Sequence, residues 1–162
     1  MSSHASNDIV PLAGPPVRAV DRENRPRFSW FRRFVLGAVG LTLMALLAIA
    51  AWLEPDPRQY GTHQQLGLPA CTIEVLYGIR CPSCGMTTSW AWMMDGRPAK
   101  SWQANAGGAL LALVSILAAP WLLASAAAGR WIGGPLNEWF VVFVSLAIVT
   151  VTLVEWSWRV WS

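Results

Sequence analysis

Charged side chains are scarce in this sequence. Only 13% of its 162 residues are Asp, Glu, Lys or Arg, about half of the roughly 25% that is usual in soluble proteins. Lysine occurs once, as Lys100, and there are two histidines. The carboxylates show no paired acid/base spacing, and the sequence has neither a phosphate-binding glycine loop nor a Gly-x-Ser-x-Gly elbow. A soluble single-domain enzyme is therefore disfavoured, and we expect a non-enzymatic protein with no nucleic-acid partner.

Apolar residues, and tryptophan in particular, take the place of the missing charge. Hydrophobic residues make up 54% of the chain, with 11 Trp against 2 Tyr. Tryptophan concentrates where an apolar surface meets water, as at the two faces of a bilayer. The composition therefore indicates a membrane protein.

Three apolar runs predict transmembrane helices, at residues 34–53, 106–128 and 136–158. About 20 residues of helix cross the roughly 30 Å hydrocarbon layer. The third run is the weakest, because Glu138 and Glu155 bound its charge-free core, but tryptophans near both ends can anchor it at the interfaces. The first two runs lack the polar face that a helix of a soluble bundle would show. We predict an all-α integral membrane protein with three transmembrane helices and short interfacial helices in the first loop, residues 54–105.

The arginines predict the orientation of the chain. The segment 1–33 carries the whole net charge of +3. Its basic residues are Arg18, Arg22, Arg25, Arg27, Arg32 and Arg33. Positive charge next to the first membrane helix is retained in the cytoplasm, so we expect the N-terminus inside and the first loop outside. Being poor in large apolar residues, segment 1–33 reads as a disordered basic cytoplasmic tail.

A cleaved signal peptide is the alternative for the first run. Ala48-Ile49-Ala50 has the small-x-small form of a cleavage site. Signal peptides normally begin with a much shorter polar region than this leader, so an uncleaved anchor is favoured.

All three cysteines lie in the first loop, at Cys71, Cys81 and Cys84. In Cys81-Pro82-Ser83-Cys84-Gly85, proline fixes φ at about −65° after the first sulfur, and Gly85 permits positive φ after the second. The chain must therefore turn tightly, which brings two sulfurs within reach of each other or of one metal ion.

A short helix is expected to follow this turn and to run through Met94. Thr87 or Thr88 could cap its first amide groups. The start of that helix would lower the pKa of the nearby Cys84 thiol.

The pattern around these cysteines is similar to a known family. Its elements are Cys71, Gly78, Cys81-Pro82-x-Cys84-Gly85-Met86-Thr87-Thr88, Gly96-Arg97, Ala104-Asn105 and an apolar helix. It resembles the DUF2752 family of small bacterial membrane proteins, over about residues 67–125. This chain has Ala106 where the family usually has proline, and Thr88 where many members have arginine. The resemblance implies a helical protein of the bacterial cytoplasmic (inner) membrane with a cysteine motif, and implies no activity.

Four interpretations of the cysteines stay open from the residues alone. They could bind zinc with His63, as a Cys₃His site. Cys81 and Cys84 could form a redox pair that exchanges disulfides. Cys71 could form a disulfide with one of them, leaving one sulfur free; the oxidising side of the membrane permits this. All three could be packed thiols.

A structural or interaction role with a cysteine-stapled external loop is the leading hypothesis for function. The alternative is a membrane thiol-disulfide oxidoreductase or a metal-binding protein that uses the Cys-Pro-Ser-Cys motif, with zinc as the candidate metal. Pro82, Gly85 and Thr87 are the expected residues of the motif turn. The expected partners are the lipid bilayer and either another membrane protein or further copies of the chain.

Overall fold

The computed structural model describes residues 27–161. Over that range the chain is helical and contains no strand, which confirms the predicted all-α class. The elements in chain order are α1 (Trp30–Trp52), a 3-10 helix (Thr62–Leu66), α2 (Thr72–Tyr77), α3 (Met86–Met94), α4 (Pro98–Ala104), α5 (Ala106–Ala128) and α6 (Glu138–Trp161). Most of the predicted cytoplasmic tail, residues 1–26, lies outside the described residues.

Three of these helices, α1, α5 and α6, are long and apolar enough to cross a membrane. Helix α5 has the bounds of the predicted segment 106–128, but α1 begins at Trp30 instead of residue 34. Its start is fixed by a cap, because the Ser29 hydroxyl accepts the Arg32 amide at 3.3 Å. A prediction based on a charge-free run of residues begins after Arg33 and therefore misses the first turn of α1.

Helix α6 also differs from its predicted bounds, 136–158, because it begins at Glu138 and continues to Trp161. The Asn137 side chain accepts the Trp139 amide at 2.9 Å and so marks the start. None of the residues of α6 is buried. Large apolar side chains that are exposed along α1 and α6 indicate a lipid-facing surface. The chain is therefore an integral membrane protein.

Helices α1 and α5 pack against each other along their length. Gly40 permits the close approach, since a Cβ there would lie 2.8 Å from the Leu123 Cγ. At the end of α5 the Arg33 guanidinium donates to the carbonyls of Ala126 at 2.9 Å and Ala127 at 3.1 Å. These carbonyls have no partner within the helix. The start of α1 and the 129–137 turn thus share one end of the molecule, called here the turn end.

Helix α6 contacts α5 but not α1. Its half-buried residues recur at helical spacing: Val144, Ala147, Ile148, Val151, Thr152, Glu155, Trp156 and Arg159. Facing them, Gly107 lies so close that a Cβ there would be 2.9 Å from the Thr152 Cβ. The three long helices therefore stand in the order α1, α5, α6, with α5 in the middle.

The first loop folds back over the opposite end, called here the loop end. Helix α3 packs against α1, α4, α5 and the 3-10 helix. Helix α2 has no such contact with another element of the described chain. The short helices expected in this loop are thus present, and one of them needs a different means of attachment.

Candidate cysteine site

Three thiols meet at the loop end. The Sγ atoms of Cys71, Cys81 and Cys84 all lie within 4.8 Å of one another. The Cys81 and Cys84 sulfurs are 3.3 Å apart. Cys84 is buried and the other two are half-buried. Within residues 27–161, no other group of three His, Cys, Asp or Glu side chains converges in this way.

A tight turn presents two of these sulfurs. The Cys84 amide donates to the Cys81 carbonyl at 3.0 Å, and the Met86 amide to the Ser83 carbonyl at 3.1 Å. Gly85 has φ +87°, the positive value that the sequence pattern predicts. A Cβ at Gly85 would also lie 2.5 Å from the Ala104 carbonyl oxygen. Glycine is therefore required here both by its conformation and by the available space.

The third sulfur comes from another element, because Cys71 is the N-cap residue of α2. Two contacts further along hold the far side of this segment. The Arg80 guanidinium lies 4.0 Å from the centre of the Tyr60 ring, and the Trp156 indole donates to the Arg80 carbonyl at 2.7 Å. Cys71 is thus the point at which the start of α2 joins the rest of the loop end.

The thiols differ strongly in acidity. Burial, with the neighbouring Cys81 and Cys71 thiols, raises the pKa of Cys84 to about 12. The pKa of Cys71 is lowered to about 7, chiefly by the backbone amide of Glu74 at the start of α2. The prediction of a lowered pKa for Cys84 is therefore wrong. A helix start does lower the pKa of a thiol, but the helix is α2 and the thiol is Cys71.

The predicted threonine cap of the next helix is also wrong. Helix α3 ends at Met94 as expected, but Gly85 is its N-cap residue and no side chain caps it. Thr88 is fully buried, and its hydroxyl lies 2.8 Å from the Thr62 hydroxyl. Thr87 lines a cavity of about 260 Å³ beside the cysteines. Because the helix begins at Met86, Thr87 and Thr88 lie within its first turn and not at the N-cap position.

His63 lines the same cavity but is not part of the thiol cluster. Its Nε2 lies 3.1 Å from the Pro69 carbonyl oxygen, to which it donates. The structure thus brings together three of the four candidate zinc ligands and leaves the imidazole at the cavity wall. Glu74 lies on the same wall.

Asn105 belongs to the motif pattern, but its role at this site was not predicted from the sequence. Its Oδ1 accepts the Gly108 amide at 2.7 Å and so caps α5. Its Nδ2 donates to the carbonyls of Pro82 at 3.0 Å and Cys84 at 3.2 Å. One side chain therefore ties the cysteine turn to α5. An asparagine directly before an apolar helix is a capping signal that could have identified it.

Buried hydroxyls complete the support of the turn. The Ser89 hydroxyl lies 2.9 Å from that of Ser101 and donates to the Asn105 carbonyl at 3.0 Å. These side chains are fully buried, so each hydrogen bond offsets a desolvation cost. They join α3 to α4 directly behind the cysteines.

Residues 71–119 run from Cys71 through the other two cysteines and Asn105 to the middle of α5. This segment matches the model of the family described as "Protein of unknown function (DUF2752)". The match confirms the resemblance noted from the motif. The matched segment ends at Ala119, which is fully buried where α5 faces α1. No curated protein and no solved structure matches the chain.

Proposed function

We propose that the thiol cluster fixes the first loop as a docking surface for another membrane protein. The observation that carries this proposal is the attachment of α2. This helix has no packing contact with another described element, yet its N-cap residue, Cys71, meets Cys81 and Cys84. The role is structural and interactive, and needs no catalysis.

The surface that α2 presents is apolar. Val75, Leu76 and Tyr77 are about 70% exposed, at 71%, 68% and 73%. An exposed apolar cluster at the end of a membrane protein is typical of an interaction site. Lipid could also cover it, but insertion into lipid needs no fixed orientation of so short a helix. The fixed orientation that Cys71 provides favours a protein partner.

The oxidoreductase alternative gains no support from the fold. Thioredoxin-like enzymes present their Cys-x-x-Cys pair on a βαβ frame, and residues 27–161 contain no strand.

The first test removes the attachment. In Cys71→Ser we expect trypsin to cleave after Arg80 several times faster than in the wild type, because the start of α2 is released. Ser83→Ala, a change within the same turn that keeps all three sulfurs, is the matched control. Equal cleavage rates in all three proteins would refute the role of the cluster.

The second test concerns the partner. A photoreactive amino acid at Leu76, in membranes of the native host, should form an adduct with another protein. The same group at Val142, an exposed residue of α6, should react mainly with lipid. Lipid adducts alone at both positions would refute protein docking while leaving the loop attachment intact.

A further inference from the structure

Three sulfurs converge at this site, which is one more than a disulfide uses. A disulfide uses two sulfurs and leaves the third unexplained, although the oxidising side of a membrane would permit it. Here Cys71 approaches Cys81 and Cys84, whose sulfurs already lie close together within one turn. We propose that Cys71, Cys81 and Cys84 bind one zinc-class divalent ion as three thiolates, with the fourth coordination position facing the adjacent cavity. This inference rests on the proposed function, since the ion would be what attaches α2.

The sulfur positions fit such an ion. Zinc–sulfur bonds of about 2.3 Å in a tetrahedron place the sulfurs about 3.8 Å apart. The Cys81 and Cys84 sulfurs are 3.3 Å apart, and all three lie within 4.8 Å of one another. Shifts of well under an ångström per sulfur would reach the required distance, which side-chain rotation can supply. On binding, each thiol releases its proton to solvent, so three thiolates hold the ion.

The elements around the sulfurs hold two of the three ligands in place. Cys81 and Cys84 share one turn. Any other residue in place of Gly85 would clash, because its Cβ would meet the Ala104 carbonyl. Asn105 holds that turn through the carbonyls of Pro82 and Cys84. Two ligands are therefore fixed before the ion binds, and the ion orders the third, Cys71, together with α2.

The fourth position would be filled from the cavity. Its volume of about 260 Å³ exceeds the roughly 30 Å³ share of a water molecule. Polar side chains line it, among them Gln64, Glu74 and Tyr60. Because no His63 nitrogen belongs to the group of ligand atoms that lie within 4.8 Å of one another, we assign the fourth ligand to water, in contrast to the Cys₃His set.

The site carries a charge that its surroundings tolerate. Three thiolates and one divalent ion leave one negative charge. Arg58 and Arg80 both lie over the Tyr60 ring that lines the cavity, at 5.5 Å and 4.0 Å from its centre. Because Arg58 is paired with Asp56 at 2.7 Å, Arg80 is the guanidinium whose positive charge can offset the charge of the site, from behind the Tyr60 ring.

The experiment loads the purified, reduced full-length chain with Zn²⁺ in detergent and removes the excess. We expect one zinc per chain, and sulfurs that resist alkylation until a chelator is added. Co²⁺ in place of zinc should give an intense sulfur-to-metal charge-transfer band, which Cys71→Ser should weaken by about one third or abolish. Ser83→Ala and His63→Ala should both keep one metal per chain.

The other outcomes separate the metal site from the loop attachment. Protein that binds no zinc, and whose sulfurs react only after a reductant, contains a disulfide; the loop attachment would then stand without the ion. Loss of zinc in His63→Ala would overturn the open fourth position. An unchanged cobalt band in Cys71→Ser would remove Cys71 from the site. Zinc binding without any effect of Cys71→Ser on cleavage after Arg80 would support the metal site and refute the attachment of α2 by the cluster.

Discussion

Asn105 shows how much a single side chain can support at the loop end. It is almost fully buried, caps α5 and donates to two carbonyls of the cysteine turn. We expect Asn105→Ala to lower the free energy of unfolding by about 2–4 kcal/mol, from the lost cap and two unsatisfied carbonyls. Denaturation in detergent, followed by tryptophan fluorescence, measures this.

Two variants make that prediction specific. Asn105→Asp keeps the capping acceptor but cannot donate to the two carbonyls. Its free energy of unfolding should therefore fall only by the cost of the two unsatisfied carbonyls, because the cap is kept. Gln103→Ala, an exposed change two residues away, should change stability by less than about 0.5 kcal/mol. If Asn105→Ala were no less stable than Gln103→Ala, the assigned role of Asn105 would be wrong.

The thiols predict a pH dependence for the reduced, metal-free protein. Alkylation of Cys71 should rise with a midpoint near its pKa of about 7, while Cys84, with a pKa of about 12, stays unreactive throughout the neutral range. Mass spectrometry after short pulses of iodoacetamide separates the two. Faster modification of Cys84 than of Cys71 at pH 8 would contradict the assignment.

The same pKa shifts fix the sign of the stability change. The lowered pKa of Cys71 stabilises the fold above its ordinary value of 9.0, and that contribution is lost as the pH falls through about 7. The raised pKa of Cys84 acts in the opposite sense. Above pH 9.0 only the unfolded chain ionises at this position, so stability falls as the pH rises toward 12.

At the scale of elements, the docking of α6 depends on an amide that a proline would lack. The Ala106 amide donates to a Glu155 carboxylate oxygen at 2.7 Å, and Glu155 also pairs with Arg159. Proline is tolerated at the first position of a helix, so Ala106→Pro should leave α5 intact and weaken only its link to α6. We expect a loss of about 1.5–3 kcal/mol.

A double-mutant cycle tests that link. If the hydrogen bond is the reason for the loss, Ala106→Pro and Glu155→Ala combined should cost clearly less than the sum of the two single changes. Strict additivity would show that the two residues do not interact.

The α5–α6 contact also sets a limit on side-chain size. Gly107→Ala would place its Cβ 2.9 Å from the Thr152 Cβ and 3.3 Å from the Thr152 Cα, so the helices must separate. We expect a loss of about 1–3 kcal/mol, typical of overpacking. Gly37→Ala is the control, because its Cβ would meet the Ala126 Cβ at an ordinary 3.9 Å. Equal melting of the two variants would contradict this close approach.

Hydropathy was sufficient to predict the long helices, because the cost of burying charge in a bilayer decides where they run. Their ends depend on caps such as Ser29 and Asn137, which a charge-free window does not register. The turn at Gly85 could be predicted from the motif. The acidity of the thiols could not, because burial of Cys84 and the place of Cys71 at a helix start arise only when the loop folds.

At the scale of the whole molecule, the two ends differ in charge. Within the described chain, the turn end carries Arg27, Arg32, Arg33 and Arg130 against Glu138, whereas acidic and basic residues are equal in number at the loop end. This asymmetry predicts that the turn end faces the cytoplasm. A single cysteine at Gln64, in a chain without native cysteines, should therefore react with an impermeant reagent in intact cells. Labelling that requires lysis would reverse the orientation.

The order of the long helices has a consequence for the surrounding bilayer. Since α6 contacts α5 but not α1, the three cylinders stand in a row instead of a triangle. A row has the longer perimeter, so each chain contacts more boundary lipid than a compact three-helix bundle would. When bilayer thickness changes, a helix can respond by tilting. The helix with the fewest helical neighbours tilts first, so α6 would adapt to a thinner or thicker membrane while the α1–α5 pair keeps its geometry. Because Trp156 and Glu155 hold α6 to Arg80 and Ala106, it would pivot at the loop end.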